Sequence, residues 1–178
     1  MSIWEEVEVD PERGAASLVA AYADRLYRTA YRLCSNAATS EDLVFRTLTR
    51  AVTASGRAFA DERAYFSWLC TILVNFHRQD LRLKGHNALV FSDTLPEVEA
   101  DAPDPGEALS IRADHEAIRE AVASLTPLLR ETAVLRYYDD LSVPEIAEVQ
   151  GVPEGTVKFR LHEARRKVRQ ILTQRFAL

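Results

Sequence analysis

The chemically most suggestive segment of the sequence is a basic stretch between residues 153 and 175. It contains seven lysines and arginines but only two glutamates, a net charge of +5 in a chain whose total is −5. Ammonium and guanidinium groups at this density bind phosphate oxygens, and they also reach the edges of guanine bases in the major groove. The stretch therefore predicts binding to nucleic acid, although the remainder of the chain is acidic.

The spacing of this stretch predicts a helix with two distinct faces. Val157, Leu161, Ala164, Val168 and Leu172 recur at helical intervals and form the stripe that we expect to be buried. A different stripe carries the cations and points outward: Lys158, His162, Arg165 and Arg169. A helix that is buried along one face and cationic on another fits a major groove.

The residues just before this helix supply the other half of a DNA-binding motif. Ser142 and Glu145 have the spacing of a capping box, which opens a short helix, and Gly151 ends that helix. Thr126 followed by Pro127 predicts the start of an earlier helix. A short helix, a glycine turn and a long basic helix together predict a helix-turn-helix. The alternative is a solvated cationic face, which would not require the capped first helix or the glycine turn.

The other elements are also helical, and the chain divides near its middle. Residues 85–108 are rich in proline, glycine and acid, and no lysine or arginine occurs between Lys84 and Arg112. Such a composition predicts a linker, and no segment alternates long enough to predict a strand. We therefore predict an all-α fold with two small helical domains, residues 1–84 and 112–178, joined by an acidic flexible linker, residues 85–111.

Within the first domain, the apolar spacing predicts where helices begin and which faces they bury. Thr39 and Ser40 are expected to cap the second helix. A long helix follows from about Asp61, with a predicted buried stripe of Tyr65, Trp68, Leu69, Ile72 and Phe76. Its predicted outward face carries Ser67, Thr71, Asn75, Arg78 and Arg82.

Catalytic and metal-binding patterns are missing from the sequence. There is no phosphate-binding loop and no nucleophile elbow, and the four histidines show no ligand spacing with Cys34 or Cys70. We predict that the chain is not an enzyme, uses no cofactor and no metal, and keeps both cysteines as small core residues. The acidic start lacks signal-peptide features and no apolar run is long enough to insert into a membrane, so a cytoplasmic location is expected.

Longer motifs resemble a known family. The stretch LRYYDDLSVPEIAEVQGVPEGTVKFRLHEARR resembles the C-terminal domain of extracytoplasmic-function (ECF) RNA polymerase sigma factors. YADRLYRTAYRL, SEDLVFRTLTRAV and YFSWLCTILVNFHRQDLR resemble helices of the N-terminal domain of the same family. The resemblance covers roughly residues 15–84 and 112–174, in the family's order.

The resemblance implies a function in promoter recognition. The partners would be core RNA polymerase, promoter DNA and an anti-sigma factor. The residues that match the polymerase-docking surface are Asp42, Phe45, Arg46 and Thr49. Those that match the minus-ten region are Asn75, Arg78 and Arg82, with the loop from Thr53 to Arg63. Those that match the reader of the minus-thirty-five element are Thr156, Lys158, Phe159, Arg160, His162, Glu163, Arg165 and Arg166.

Several positions depart from the family pattern. Phe45 and Arg46 replace a pair of glutamine and acid, so a base stands where the docking face usually has an acid. Phe159 stands where the family usually has serine, and Glu163 stands where relatives often have arginine, which predicts an unusual promoter preference. Two other functions stay open from the sequence: a sigma-like mimic that titrates an anti-sigma partner, and a stand-alone helix-turn-helix regulator.

Overall fold

The computed structural model describes residues 11–54, 59–83, 85 and 116–176, and these form seven helices and no strand. Three helices make up the first half: α1 (Pro11–Cys34), α2 (Ala37–Thr53) and α3 (Glu62–Leu83). Four make up the second: α4 (described over 116–123), α5 (Pro127–Tyr137), α6 (Val143–Gln150) and α7 (Glu154–Phe176). The all-α prediction is confirmed. Residues 86–111 of the predicted linker lie outside the described residues.

The start of α2 differs from the prediction. Its N-cap is Asn36, whose side chain accepts a hydrogen bond from the backbone N–H of Thr39 at 2.9 Å. Ser40 lies within the first turn, and its hydroxyl donates back to the carbonyl of Asn36 at 2.6 Å. Thr39 and Ser40 are therefore helical residues rather than caps, because asparagine satisfies an unpaired N–H of the first turn as well as serine or threonine does.

The buried face of α3 also differs from the predicted stripe. Tyr65 and Leu69 are buried as expected, but Trp68, Ile72 and Phe76 are only partly covered. Four side chains that the predicted stripe omitted are also buried: Phe66, Cys70, Leu73 and Val74. Ser67, which was predicted on the outward face, is buried as well. The reason is that α3 packs against α1 and α2 on one side and against α6 on another.

The two halves of the chain pack directly on each other. Helix α1 contacts α5, and α3 contacts α6. Leu26 and Phe66 of the first half belong to the same core cluster as Leu135 and Ile146 of the second half, and all four are completely buried. Complete burial of each such large apolar side chain stabilises the folded chain by roughly 1.5–3 kcal/mol.

The two cysteines lie in helices of the first half and are not bonded to each other. Cys70 is completely buried in the core, and this burial raises the pKa of its thiol. Cys34 is half-buried, and its Sγ donates to the carbonyl of Ala30 at 3.1 Å. Within the described residues, no helix is both long enough and apolar enough to cross a membrane.

Candidate nucleic-acid and protein interfaces

The turn between α6 and α7 is fixed by local hydrogen bonds. Ser142 and Glu145 form the predicted capping box: the N–H of Ser142 donates to the Glu145 carboxylate at 2.6 Å, and the N–H of Glu145 donates to the Ser142 hydroxyl at 3.4 Å. Gly151 ends α6 with a φ of 66°, a left-handed conformation that glycine adopts without strain. The N–H of Val152 then donates to the carbonyl of Ala147 at 3.0 Å. These bonds set the direction in which α7 leaves the turn.

Helix α7 is anchored through its apolar stripe. Val157, Leu161 and Ala164 are buried, and Val168 packs against Leu125, in the turn between α4 and α5, and Ala133 of α5. Most of the residues predicted to read duplex DNA are exposed on the remaining surface: Lys158, Phe159, His162, Arg165 and Arg166. The arrangement presents a cationic face with one large apolar side chain in its N-terminal half.

Three of the predicted duplex-reading residues are placed differently. Thr156 is half-buried. Arg160 turns inward and donates to the side-chain oxygen of Gln150 at 2.9 Å. Glu163 pairs with Arg166 at 2.9 Å, and the hydrogen bond from that arginine lowers the pKa of the carboxyl. The structure thus brings five of the eight predicted residues together as an exposed set.

Buried polar groups that the sequence pattern did not indicate lie directly behind this face. Gln150 donates to the Glu131 carboxylate at 2.7 Å, and Glu131 accepts from Arg78 of α3 at 2.6 and 3.0 Å. Arg160, Gln150, Glu131 and Arg78 therefore form one continuous chain of hydrogen bonds. Glu131 falls at the spacing of the apolar residues of α5 and is only 2% exposed. A glutamate at an apolar position of the helix was the sequence signal that could have revealed this network.

Of the three predicted minus-ten residues, one belongs to this hydrogen-bond network and two remain exposed. Asn75 and Arg82 are exposed on α3. Arg78 is half-buried and commits all three of its guanidinium nitrogens, since it also donates to the carbonyl of Gln150 at 3.1 Å. Residues 55–58 of the predicted minus-ten loop lie outside the described residues. Trp68, at the edge of this region, packs against Phe59 and Tyr65 with ring centroids 5.1 and 5.4 Å away.

The predicted docking residues occupy one face of α2, with one exception. Asp42, Phe45 and Thr49 are exposed, and Phe45 retains 71% of its accessible surface. Arg46 instead bridges two helices: it donates to Asp42 on α2 at 3.0 Å and to both carboxylate oxygens of Asp80 on α3 at 3.0 and 3.1 Å. Its guanidinium also lies over the Phe76 ring, 4.4 Å from the centroid. Its charge is thus neutralised by two acids.

An open groove runs beside this face, between α1 and α2. It has a volume of about 590 Å³ and a mainly apolar lining that includes Tyr27, Val44, Phe45, Leu48 and Val52. A groove with an exposed phenylalanine at its edge is suited to an apolar side chain from another protein.

Comparisons with known proteins agree with this geometry. Residues 115–168 match the family described as Sigma-70, region 4. The chain is 27% identical to the ECF RNA polymerase sigma factor SigW of Bacillus subtilis over 175 residues, covering 94% of this chain and 93% of SigW. It is 33% identical to the ECF RNA polymerase sigma factor SigL of Mycobacterium tuberculosis over 154 residues, covering 86% and 85%.

The fold is also similar to that of a solved structure. A co-crystal structure of the sigma factor RpoE in complex with the anti-sigma factor NepR from Bartonella quintana matches with a TM-score of 0.66. The match covers 89% of this chain and 96% of that one at 23% identity.

Proposed function

Because the chain belongs to the ECF family of RNA polymerase sigma factors, we propose that its exposed α7 face reads the minus-thirty-five element while the α2 face holds the polymerase. The chain is a transcription initiation factor and not an enzyme. It binds core RNA polymerase and directs it to promoters, and the polymerase carries out the chemistry. The residue assignments are the proposed part.

The observation that carries the α7 assignment is its separation of faces. A helix held by Val157 and Leu161 leaves Lys158, His162 and Arg165 in solvent. Phosphate contacts from such cations position a protein on the duplex, and neighbouring side chains then reach the base edges. We assign Thr156, Arg160 and Glu163 to the edge of this surface, where they are only partly exposed, and Arg160 must first exchange its bond to Gln150 for one to DNA.

The polymerase-docking assignment is supported by the exposed apolar surface of α2. Phe45 at 71% exposure, with Asp42 and Thr49 beside it, offers an aromatic anchor of the kind that dominates protein interfaces. Arg46 serves this surface indirectly, because its bonds to Asp80 hold α2 against α3, while its bond to Asp42 lies within α2.

The minus-ten strand is assigned to α3 and the loop before it. Asn75 and Arg82 are exposed there, and Trp68 lies in an aromatic group with Phe59 and Tyr65. Aromatic faces and nearby cations are the means by which proteins hold unstacked bases. On this proposal residues 1–84 carry docking and strand capture, residues 85–111 link, and residues 112–178 read duplex DNA.

The proposal places the chain in the cytoplasm with the polymerase, under the control of an anti-sigma partner. Support for such a partner comes from RpoE, which was crystallised with its anti-sigma factor.

A binding experiment tests the division of labour between α2 and α7. Tagged wild-type chain is used to capture core polymerase, and the complex is tested for a shift of promoter fragments. Phe45→Ala should lower polymerase capture at least about tenfold, as expected for an interface anchor, whereas Lys158→Ala should leave capture unchanged and weaken the shift. A shift of the same fragments by the chain alone, equal to that with polymerase, would contradict the proposal.

A further inference from the structure

A cluster of arginines lies outside the proposed DNA and polymerase surfaces, where α1 meets α4. Arg25, Arg28 and Arg32 follow one another at intervals of three and four residues, so they lie on the same face of α1. Arg119 joins them from α4, and its charge acts on both Tyr31 and Arg32 of α1. These four residues form the arginine cluster, which the proposed function does not use.

Arg32 is the centre of the arginine cluster. It is half-buried, and its guanidinium lies over the Tyr138 ring, 4.2 Å from the centroid. Burial lowers the pKa of Arg32, and the positive charges of Arg28 and Arg119 lower it further, against the opposing effects of Tyr138 and Asp139. A guanidinium stacked on a ring still presents its N–H donors in the plane of the group. Arg32 therefore offers a donor fork of fixed orientation next to two like charges.

Two members of the arginine cluster have acceptors within the protein. Arg119 pairs with Glu116 of α4, and both side chains are exposed by 40% or more. Arg25 donates to the backbone carbonyl of Asp139 at 3.1 Å, and its guanidinium lies 3.5 Å from the centroid of the Phe66 ring. These contacts hold the outer members of the cluster in place.

The other two members lack such partners. Among the described residues, neither Arg28 nor Arg32 forms an ion pair or a side-chain hydrogen bond, although the buried Asp139 attracts Arg32. Like charges held close together destabilise the folded chain unless an anion lies between them. The four arginines exceed the three acids near them, which are Asp24, Glu116 and Asp139.

A tetrahedral oxyanion matches this set of donors. Guanidinium forks bind phosphate oxygens in pairs, and such bonds are stronger where the donor is partly desolvated, as at Arg32. A single carboxylate satisfies one fork, whereas phosphate has enough oxygens to accept from α1 and α4 together. Positively charged ligands are repelled by the same excess of charge.

We propose that Arg28, Arg32 and Arg119 bind a small phosphate-bearing anion, either inorganic phosphate or a phosphate monoester. Arg32 is the central donor, Tyr138 fixes its plane, and Arg28 and Arg119 add charge and donors on either side. The proposal goes beyond the proposed function and does not depend on it, because the site includes no residue of the α2 or α7 surfaces. The bound anion joins a helix of the first half to a helix of the second.

Phosphorus NMR of inorganic phosphate mixed with the full chain tests the site. The phosphate resonance should broaden and shift on titration with the wild type at constant ionic strength, and Arg32→Ala should weaken the apparent affinity at least about tenfold. Arg50→Ala is the matched control, since it removes an exposed arginine from α2 and should titrate like the wild type. Equal affinities for the wild type and Arg32→Ala would overturn the proposal.

A second variant keeps the test valid if loss of the Tyr138 contact prevents Arg32→Ala from folding. Arg119→Gln changes an exposed side chain, so helical circular dichroism should be retained. Its affinity for phosphate should fall about three- to tenfold, because one charged donor is lost. An unchanged affinity would show that α4 takes no part in binding and would contradict the site.

Competition experiments distinguish a small phosphate compound from the phosphates of a nucleic acid backbone. Methyl phosphate should displace inorganic phosphate from the wild type, whereas an oligothymidine strand without a terminal phosphate should not. Displacement by the strand and not by methyl phosphate would assign the arginine cluster to nucleic acid and overturn a site for small anions.

Discussion

At the scale of single residues, Phe159 and Lys158 are neighbours on α7 with different physical capacities. Phe159 is 64% exposed in the N-terminal half of the helix, the part of a recognition helix that reaches base edges. Its ring cannot hydrogen-bond to a base, but it can contact the methyl group of thymine. Lys158 is a mobile point charge, 3.5 Å from Glu154, and is suited to phosphate.

Phe159→Ser should change sequence preference. We expect the holoenzyme to lose about 1 kcal/mol of discrimination, roughly fivefold, at one base pair where the wild type prefers thymine. Sequencing of promoter fragments selected from a randomised pool by each holoenzyme measures this preference. Leu128→Ser is the matched control, since it removes an exposed apolar side chain from α5, away from the proposed DNA and polymerase surfaces. Identical preferences for wild type and Phe159→Ser would refute the contact.

Lys158→Ala should weaken DNA binding without changing sequence preference. Loss of a phosphate contact weakens binding to all sequences about equally and reduces the slope of log affinity against log salt by about 1. Titration of the holoenzyme with two unrelated promoters over a range of salt concentrations gives both quantities. A loss confined to one promoter would mean that Lys158 reads a base.

Helical periodicity was sufficient to place Lys158, His162 and Arg165 on the outward face of α7, because that face is set by the helix itself. It could not place Arg46 or Arg160. The partner of Arg160 is 10 residues away and that of Arg46, Asp80, is 34 residues away, each on another helix. Partners brought together only by packing leave no local signal in the sequence.

At the scale of elements, Arg46 fastens α2 to α3. Its ion pair with Asp80 is partly buried, with side-chain exposures of 28% and 19%, and its guanidinium stacks on Phe76. The helix that carries the docking face is therefore positioned by a residue whose guanidinium is held by Asp80 of α3.

Arg46→Ala should lower the free energy of unfolding by about 1–2 kcal/mol, because Asp80 loses its cation and Phe76 its stacking partner. Phe45→Ala, one residue away, should leave that free energy within about 0.5 kcal/mol of the wild-type value. Urea denaturation followed by circular dichroism compares the two. A smaller effect for Arg46→Ala than for Phe45→Ala would show that the bridge does not hold α2.

Asp139 makes the junction of α1 and α5 dependent on pH. Burial raises the pKa of its carboxyl from 3.8 to about 6, against the opposing effects of Thr29 and of Arg25 and Arg32. Protonation is then more favourable in the folded chain than in the unfolded one. The protonated carboxyl makes its full contribution to folding stability below about pH 4, and this contribution is lost as the pH rises through about 6.

The matching variant is Asp139→Asn, which should be more stable than the wild type at neutral pH by about 3 kcal/mol and equal to it near pH 4. Other charged groups near this junction, Glu62, Arg63 and Asp140, are common to both proteins. Thermal unfolding over this pH range measures the difference. A constant difference at all pH values would exclude titration of Asp139.

At the scale of the whole molecule, the sequence was sufficient for the all-α class and for the helix-turn-helix, since caps and apolar spacing are local. Ser142, Glu145 and Gly151 mark the boundaries of α6 as predicted. The packing of one half on the other was not predictable, because it depends on arginines such as Arg63 and Arg130 reaching carbonyls 77 and 97 residues away. The partly wrong stripe on α3 follows from that same unforeseen contact.

Run-off transcription with purified core RNA polymerase tests most directly whether α2 and α7 together direct initiation. Wild-type chain should yield discrete transcripts from a pool of genomic promoter fragments. Lys158→Ala with Arg165→Ala should abolish them while polymerase capture is retained, and Phe45→Ala should abolish them through loss of capture. If the wild type produced no transcript although it bound polymerase, or if the charge-neutralised α7 initiated as well as the wild type, the account would be contradicted.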